Sequence, residues 1–154
     1  MILTLIQAFI FVSYVTFLLI RFKGPLPSIS ESWYRLGFPT NILFTVFCWS
    51  LALTMCFHTS DGWGGLFFFS GVGLGLVGAA TMFKIPDVRP YHFGGAMMGI
   101  IFALLGIWAV NGEILPFIIW AITSILLLGF NAKNKMWWIE ITAFVAIIYG
   151  FLNS

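Results

Sequence analysis

The sequence predicts an all-α integral membrane protein, a polytopic bundle of about six transmembrane helices with both termini outside. Three properties of the 154-residue chain support this class: 61% of its residues are apolar, only 8% are charged, and the mean hydropathy is +1.06. A soluble domain is usually about a quarter charged. This chain has too few polar side chains to cover a surface in water.

The apolar residues form long continuous runs, which indicates helices. Lipid offers no hydrogen-bond partner to the backbone, and a helix satisfies its amides within a single segment. A transmembrane barrel would instead show segments of about ten residues in which apolar and polar positions alternate. Such alternation is missing from these runs.

Six runs, each bounded by charges, prolines or polar residues, are the predicted spans: Ile2–Ile20, Ile42–Phe57, Leu66–Phe83, Phe93–Val110, Ile114–Phe130 and Met136–Leu152. They have 16 to 19 residues, near the lower limit for a hydrocarbon core of about 30 Å. The connection at 111–113 is short enough to be a kink, so five spans remain an alternative. The first run has neither a basic segment before it nor a small-residue cleavage site after it, so we expect it to be retained. We expect residues 1–154 to form a single transmembrane domain.

The distribution of charge predicts the orientation. In a six-span arrangement the second and fourth loops carry only Asp61 and Glu113 as charged residues, and every basic residue falls in an odd loop. These basic residues are Arg21, Lys23 and Arg35 in the first loop, Lys84 and Arg89 in the third, and Lys133 and Lys135 in the fifth. Cytoplasmic loops are enriched in Lys and Arg. The odd loops are therefore predicted to be cytoplasmic.

Small residues recur every four positions in the third and fourth spans. The two stripes are Gly71, Gly75 and Ala79, and Gly95, Gly99 and Ala103. Such stripes let two helix backbones approach closely, where van der Waals contact replaces the hydrophobic drive that lipid does not supply. We expect the two spans to form a tight hairpin. The functional alternative is that the glycines leave room for a pore or a ligand.

Glu140 lies one turn into the sixth span, where an ionised side chain is costly unless it is paired or used. Arg89, Lys133 and Lys135 are candidate partners. Arg89 is preferred, because a guanidinium can donate two parallel hydrogen bonds to a carboxylate. The alternatives are that Glu140 reaches the head groups, or that it accepts a proton or anchors a ligand.

A candidate site is predicted at the cytoplasmic end, where the first loop, the third loop and the start of the sixth span meet. Its residues are Ser30, Glu31, Arg35, Asp87, Arg89, His92 and Glu140. The structural alternative is that these residues line polar loops and cap helices, with Ser30 or Ser32 capping a short helix around Trp33. His58 is predicted at the opposite end from His92, so the two cannot share a metal ion. We predict no metal and no cofactor.

The first loop reads GPLPSISESWYRLGFP over residues 24–39 and leads into a span that begins Asn41-Ile42-Leu43-Phe44. This pattern resembles the first loop of small six-helix membrane proteins of the FRAG/DRAM/Sfk group and their bacterial relatives of unknown function. The resemblance extends to His92 followed by Gly94, Gly95 and Ala96. It implies a lipid-associated or modulatory membrane protein. In that family the first loop is expected on the outer face, whereas the charges place it inside here.

Three classes of function remain open. The preferred hypothesis is a non-enzymatic membrane protein that binds membrane lipid, a partner membrane subunit or a second copy of itself, because interfacial aromatic residues are abundant and buried polar groups are scarce. A small oligomeric transporter or channel would use Gln7, Asn41 and Glu140. A lipid-acting enzyme at the cytoplasmic face would use Ser30, Glu31, His92 and Glu140. The net charge of +2 reflects loop asymmetry, so no nucleic-acid partner is predicted.

Overall fold

The computed structural model describes residues 2–58 and 63–153, which form seven α-helices and no strand. The helices are α1 (Ile2–Phe22), α2 (Ser32–Leu36), α3 (Ile42–Cys56), α4 (Gly64–Ala79), α5 (Arg89–Asn111), α6 (Leu115–Gly129) and α7 (Lys135–Leu152). Every predicted apolar run coincides with one helix to within a few residues. The additional helix, α2, is one short stretch inside the first loop.

Three helices are long and apolar enough to cross a membrane. They are α1, α5 and α7, with 21, 23 and 18 residues. The apolar helices α3, α4 and α6 have 15, 16 and 15 residues. At 1.5 Å per residue these three are about 22 to 24 Å long, shorter than a typical hydrocarbon core.

The connection at 111–113 is a break between two helices, not a kink. Gly112 has a left-handed backbone with φ of 72°, and its N–H donates to the carbonyl oxygen of Trp108, which closes α5. Helix α6 then begins at Leu115 with Pro116 in its first turn, where a missing N–H costs no helical hydrogen bond. Gly112 therefore ends α5, and Pro116 favours the start of α6.

The helices differ in how extensively they pack on their neighbours. Helix α4 packs extensively on α5 and on α3, α1 packs on α3 and α7, and α6 packs on α7. By contrast, α5 and α6 scarcely touch, although they are neighbours in sequence. Helix α6 is therefore attached to the bundle mainly through α7.

Glycine brings α4 and α5 together. A β-carbon at Gly73 would lie 2.5 Å from the amide nitrogen of Gly99 and 2.6 Å from the carbonyl oxygen of Gly95. Gly95, Gly99 and Ala103 are all buried on α5. The Ser70 hydroxyl donates to the Gly99 carbonyl oxygen at 2.7 Å. The two backbones thus approach as closely as a tight helical hairpin requires.

The stripe predicted on α4 does not make this contact. Gly71 faces α3, where its β-carbon would lie 2.7 Å from the carbonyl oxygen of Ala52. Among the described residues no atom lies within 4 Å of a β-carbon at Gly75, and Ala79 is exposed. Helix α4 carries glycines on several faces, so a four-residue repeat could not identify the one that meets α5. Gly73, two residues from the predicted positions, is the contact residue.

Apolar side chains lie on the outside of the bundle as well as in its core. The core includes Leu18, Phe44 and Leu104, each no more than 1% exposed. On the outer surface Phe9 is 74% exposed and Ile125 is 68% exposed. A surface of this kind is typical of helices in lipid, since a soluble bundle would place polar residues there.

Candidate functional site

The first loop folds into one end of the bundle, which we call the loop end. Its Leu26, Ile29, Ser30 and Ser32 are buried, although they lie in the most polar stretch of the chain. Hydrogen bonds hold it to the surrounding parts of the chain, four of them to α1 and to the start of α7. These four join the Trp137 N–H to the Pro27 carbonyl, the Asn134 amide to the Pro25 carbonyl, the Ile29 N–H to Glu140, and the Tyr14 hydroxyl to Ser32.

Glu140 anchors this loop and is not paired with Arg89. Its Oε2 accepts a hydrogen bond from the backbone N–H of Ile29. The Arg89 guanidinium is exposed and lies 5.5 Å from the centre of the Phe93 ring, and no salt bridge joins it to Glu140. The expected couple therefore does not form. The physical reason is that the loop folds inward and places the Ile29 N–H against the carboxylate, so Glu140 binds a main-chain donor instead of Arg89.

Ser30 and His92 form a buried hydrogen-bonded pair. Nε2 of His92 lies 3.0 Å from Oγ of Ser30, and Nδ1 lies 2.9 Å from the carbonyl oxygen of Ala80. A carbonyl oxygen can only accept, so Nδ1 carries the proton that it donates to Ala80. In the neutral imidazole Nε2 then has a free lone pair, and the Ser30 hydroxyl donates to it. The surrounding contacts thus select one tautomer of His92.

The imidazole of His92 is held on its faces as well as at its edges. The Phe83 ring stacks on it, with centroids 4.7 Å apart and an interplanar angle of 28°. His92 is 2% exposed and Ser30 is 7% exposed, so the pair lies out of bulk solvent. Helix α5 supplies His92 in its first turn, and the loop preceding α2 supplies Ser30.

Glu31 joins the first loop to the third loop at the rim of the loop end. Its Oε1 lies 2.8 Å from Nζ of Lys84 and 3.7 Å from Nε of Arg35. The Lys84 ammonium also lies 4.3 Å from the centre of the Tyr34 ring. Both cations are more than half exposed, so this cluster is a solvent-exposed set of ion pairs that links the two loops, and not a buried site. Asp87 is exposed and has no hydrogen bond or ion pair within the described ranges.

The predicted helix caps are also absent from the loop end. Helix α2 begins at Ser32 with no side-chain capping hydrogen bond, and α5 begins at Arg89 without one. Ser32 is instead hydrogen-bonded to Tyr14 at 2.8 Å, and Ser30 is hydrogen-bonded to His92 at 3.0 Å. Ser30 and Ser32 therefore bind other helices and do not cap α2.

A cavity of about 260 Å³ lies behind the loop, between α5 and the pair α6 and α7; we call it the lateral cavity. Its polar end is formed by Ser30, Glu31, His92 and Glu140. Its apolar wall includes Phe83, Phe93, Ala96, Met97, Ile100, Trp120 and Met136. Phe93, Met97 and Met136 are also 38% to 50% exposed on the outer surface, so the cavity opens toward the outside of the bundle. A smaller space of about 50 Å³ adjoins it and shares Ser30, Ala96, Ile100 and Glu140.

Trp120 lines the lateral cavity and is 9% exposed. Its indole N–H is buried and has no hydrogen-bond partner among the described residues. A buried indole N–H usually finds an acceptor, so this unsatisfied donor costs free energy.

Gln7 and Asn41, two residues expected to line a transport path, lie at opposite ends of the bundle. Gln7 is buried in the second turn of α1, at the end opposite the loop, while Asn41 precedes α3 at the loop end. His58 also lies at the opposite end, where its ring stacks on Phe151 with centroids 4.0 Å apart. Burial lowers the pKa of His58 to about 4, so this imidazole is neutral at pH 7. Asp61 lies outside the described residues.

Sequence reasoning brought forward Ser30, His92 and Glu140 but missed the groups that hold them. Tyr14 and Phe83 read as ordinary apolar positions, and Ser32 was considered only as a helix cap. The Ala80 carbonyl has no side-chain signal at all. Within residues 2–58 and 63–153 no three His, Cys, Asp or Glu side chains are grouped as metal ligands would be.

No protein-family model, curated protein or solved structure matches this chain. The function of the loop end is therefore inferred from its own residues.

Proposed function

We propose that this chain is a six-span membrane protein with its odd loops in the cytoplasm, and that it binds a membrane lipid in the lateral cavity. The observation that carries the proposal is the cavity itself, which joins an apolar wall to a polar end and opens toward the outside of the bundle. A lipid has the same division into an apolar chain and a polar head.

The basic residues support the orientation. Lys23 and Arg35 of the first loop and Lys133 of the fifth surround one surface pocket, and Lys84 of the third loop binds Glu31 beside them. The three odd loops thus meet at one end of the bundle. Collecting Lys and Arg on one side is typical of the cytoplasmic face. The short helices α3, α4 and α6 would be accommodated by local thinning of the bilayer.

The polar end of the cavity would provide the selectivity. Moving an acyl chain from the bilayer into an apolar cavity gains little free energy, because lipid tails are as apolar as the cavity wall. Hydrogen bonds to the ester or head-group oxygens would instead distinguish one lipid from another. Ser30, His92 and Glu140 supply the polar groups at this end of the cavity. This proposal agrees with the lipid association that the resemblance to the FRAG/DRAM/Sfk group implies.

Photocrosslinking tests the proposal. The purified protein in lipid nanodiscs is irradiated with a phospholipid that carries a diazirine on its acyl chain, and the labelled peptides are identified by mass spectrometry. We expect labelling to concentrate on Met97, Trp120 and Met136, because they line the cavity. Filling the cavity with Ala96→Trp should abolish this labelling. The matched control is Leu53→Trp on the outer surface, where the residue is 60% exposed, and it should leave the labelling unchanged.

Equal labelling of all lipid-facing residues, with no effect of Ala96→Trp, would contradict the proposal. It would show that the probe samples the outer surface of the bundle and has no preferred site.

A further inference from the structure

We infer that Ser30 and His92 act together as nucleophile and general base on an acyl ester bound in the lateral cavity. The inference rests on the proposed lipid site and assigns it a reaction, the hydrolysis of a lipid ester. Both side chains line that cavity, and they are joined by a hydrogen bond of 3.0 Å.

The tautomer of His92 is the one that this reaction requires. Its Nδ1 proton is fixed on the Ala80 carbonyl oxygen at 2.9 Å, which leaves Nε2 as the acceptor for the Ser30 hydroxyl proton. A nucleophilic serine needs this arrangement of a base within hydrogen-bond reach and a third group that orients the base. The Ala80 carbonyl occupies the position that a carboxylate holds in many serine hydrolases. A neutral carbonyl stabilises an imidazolium less than a carboxylate does, so slow turnover is expected.

The reaction proceeds in two steps, acylation of Ser30 and hydrolysis of the acyl-serine. Ser30 Oγ forms a bond to the ester carbonyl carbon, its proton passes to His92 Nε2, and the bond from that carbon to the alcohol oxygen breaks. The proton on Nε2 then moves to the departing alcohol. Water attacks the acyl-serine in the second step and gives a proton to Nε2, and the fatty acid leaves as that proton returns to Ser30 Oγ.

One neighbouring group fits this reaction. Glu140 accepts the N–H of Ile29, the residue before Ser30, so Glu140 is a positioning residue that fixes the backbone carrying the nucleophile.

The reactivity of Ser30 distinguishes a catalytic role of its hydrogen bond to His92 from a purely structural one. A bond that only fastens the loop to α5 would give a hydroxyl of ordinary reactivity. A nucleophile activated by His92 reacts with fluorophosphonates, in which Ser30 Oγ bonds to phosphorus, fluoride leaves, and the proton passes to His92.

The test uses the full chain in nanodiscs with a long-chain alkyl fluorophosphonate, read out by intact mass and by peptide mapping. We expect one adduct on Ser30, none in Ser30→Ala, and a labelling rate at least about 100-fold lower in His92→Gln. Ser13→Ala is the control, since Ser13 is exposed on α1 and does not line the lateral cavity, and it should be labelled like the wild type. Heat-denatured wild-type protein should not be labelled.

The absence of an adduct on wild-type Ser30 would overturn the inference, whether or not the variants fold. Labelling of folded His92→Gln at the wild-type rate would also overturn it. Photocrosslinking of the wild type separates the two proposals: lipid labelling of the cavity without a Ser30 adduct removes the reaction and leaves the lipid site, whereas the loss of both removes both.

Discussion

Helix α5 presents two contrasting faces to its neighbours. On the side of α4, Gly95, Gly99 and Ala103 are buried, and a β-carbon at Gly73 would collide with the α5 backbone. On the side of α6, Ala96 and Met97 border a cavity of about 260 Å³. One helix therefore carries both a close backbone contact on one side and a cavity on the other.

The difference shows how a small helical bundle can keep a cavity open. The contact with α4 fixes the backbone of α5, so His92 in its first turn is held without help from α6. The opposite face is then free of the packing that would otherwise fill it. Rigid support on one side with space on the other is the arrangement that an ordered binding site needs.

The largest expected effect is at the closed interface. Gly73→Ala places a methyl group 2.5 Å from a backbone nitrogen of α5, and backbone atoms cannot rotate away, so the helices must separate. We expect a loss of about 3 kcal/mol in the free energy of unfolding, at the upper end for overpacking. Gly75→Ala is the control, because in the described part of the chain no neighbouring helix comes within 4 Å of its β-carbon. Thermal unfolding in detergent measures both, and equal stability of the two variants would refute the glycine contact.

A second pair of substitutions compares the two faces of α5 directly. Ala103→Leu adds volume to a residue that is fully buried, and we expect it to cost about 2 kcal/mol. Ala96→Leu adds the same volume beside the lateral cavity, where it should change the stability by less than about 0.5 kcal/mol. Denaturation of the purified variants gives both values. A larger loss for Ala96→Leu than for Ala103→Leu would mean that the cavity is not open space.

The hydrogen bond from the Ile29 N–H to Glu140 should contribute less to the free energy of unfolding than the contact between α4 and α5. Glu140→Leu leaves the Ile29 N–H without an acceptor, at a cost of about 1–2 kcal/mol, whereas Glu140→Gln keeps an acceptor oxygen and should cost less. Arg89→Gln should have little effect and should combine additively with Glu140→Gln to within about 0.5 kcal/mol. Thermal stability of the single and double variants measures this cycle. A coupling above about 1 kcal/mol would restore the Arg89–Glu140 pair.

The smallest effect is expected at the rim. Lys84→Gln removes a salt bridge of 2.8 Å whose lysine is 53% exposed, so it should cost no more than about 1 kcal/mol. Most of that loss should disappear at high salt, because exposed charges are screened. Stability measured at low and high ionic strength tests this. A loss that persists at high salt would indicate that Lys84 contributes through its contact with Tyr34 instead.

The sequence was a good guide to the helices because lipid imposes a simple pattern on them. Continuous apolar runs bounded by charges and prolines locate α3 and α7 to within about one residue at each end. The stripe of Gly95, Gly99 and Ala103 on α5 was also visible in the sequence, and all three residues are buried. The register of α4 was not, since its glycines occupy more than one face.

The site was predicted only in part, and the reason is the first loop. The polar residues around Ser30 read as a solvated loop, yet they are pulled inward with the buried Leu26 and Ile29. Two of the bonds that result, Ile29 to Glu140 and His92 to Ala80, involve main-chain groups that every residue has. Composition and spacing carry no signal for such bonds. Consequently the position of Glu140 was predicted but its partner was not.

Native mass spectrometry of the protein released from nanodiscs tests the lipid site most directly. We expect the wild type to retain one lipid molecule per chain at activation energies that strip lipids from the outer surface. Ala96→Trp, which fills the lateral cavity, should release that lipid, while Leu53→Trp should keep it. Retention of the same lipid by Ala96→Trp, or loss of all lipid from the wild type under the same conditions, would contradict the assignment of the lateral cavity as a lipid-binding site.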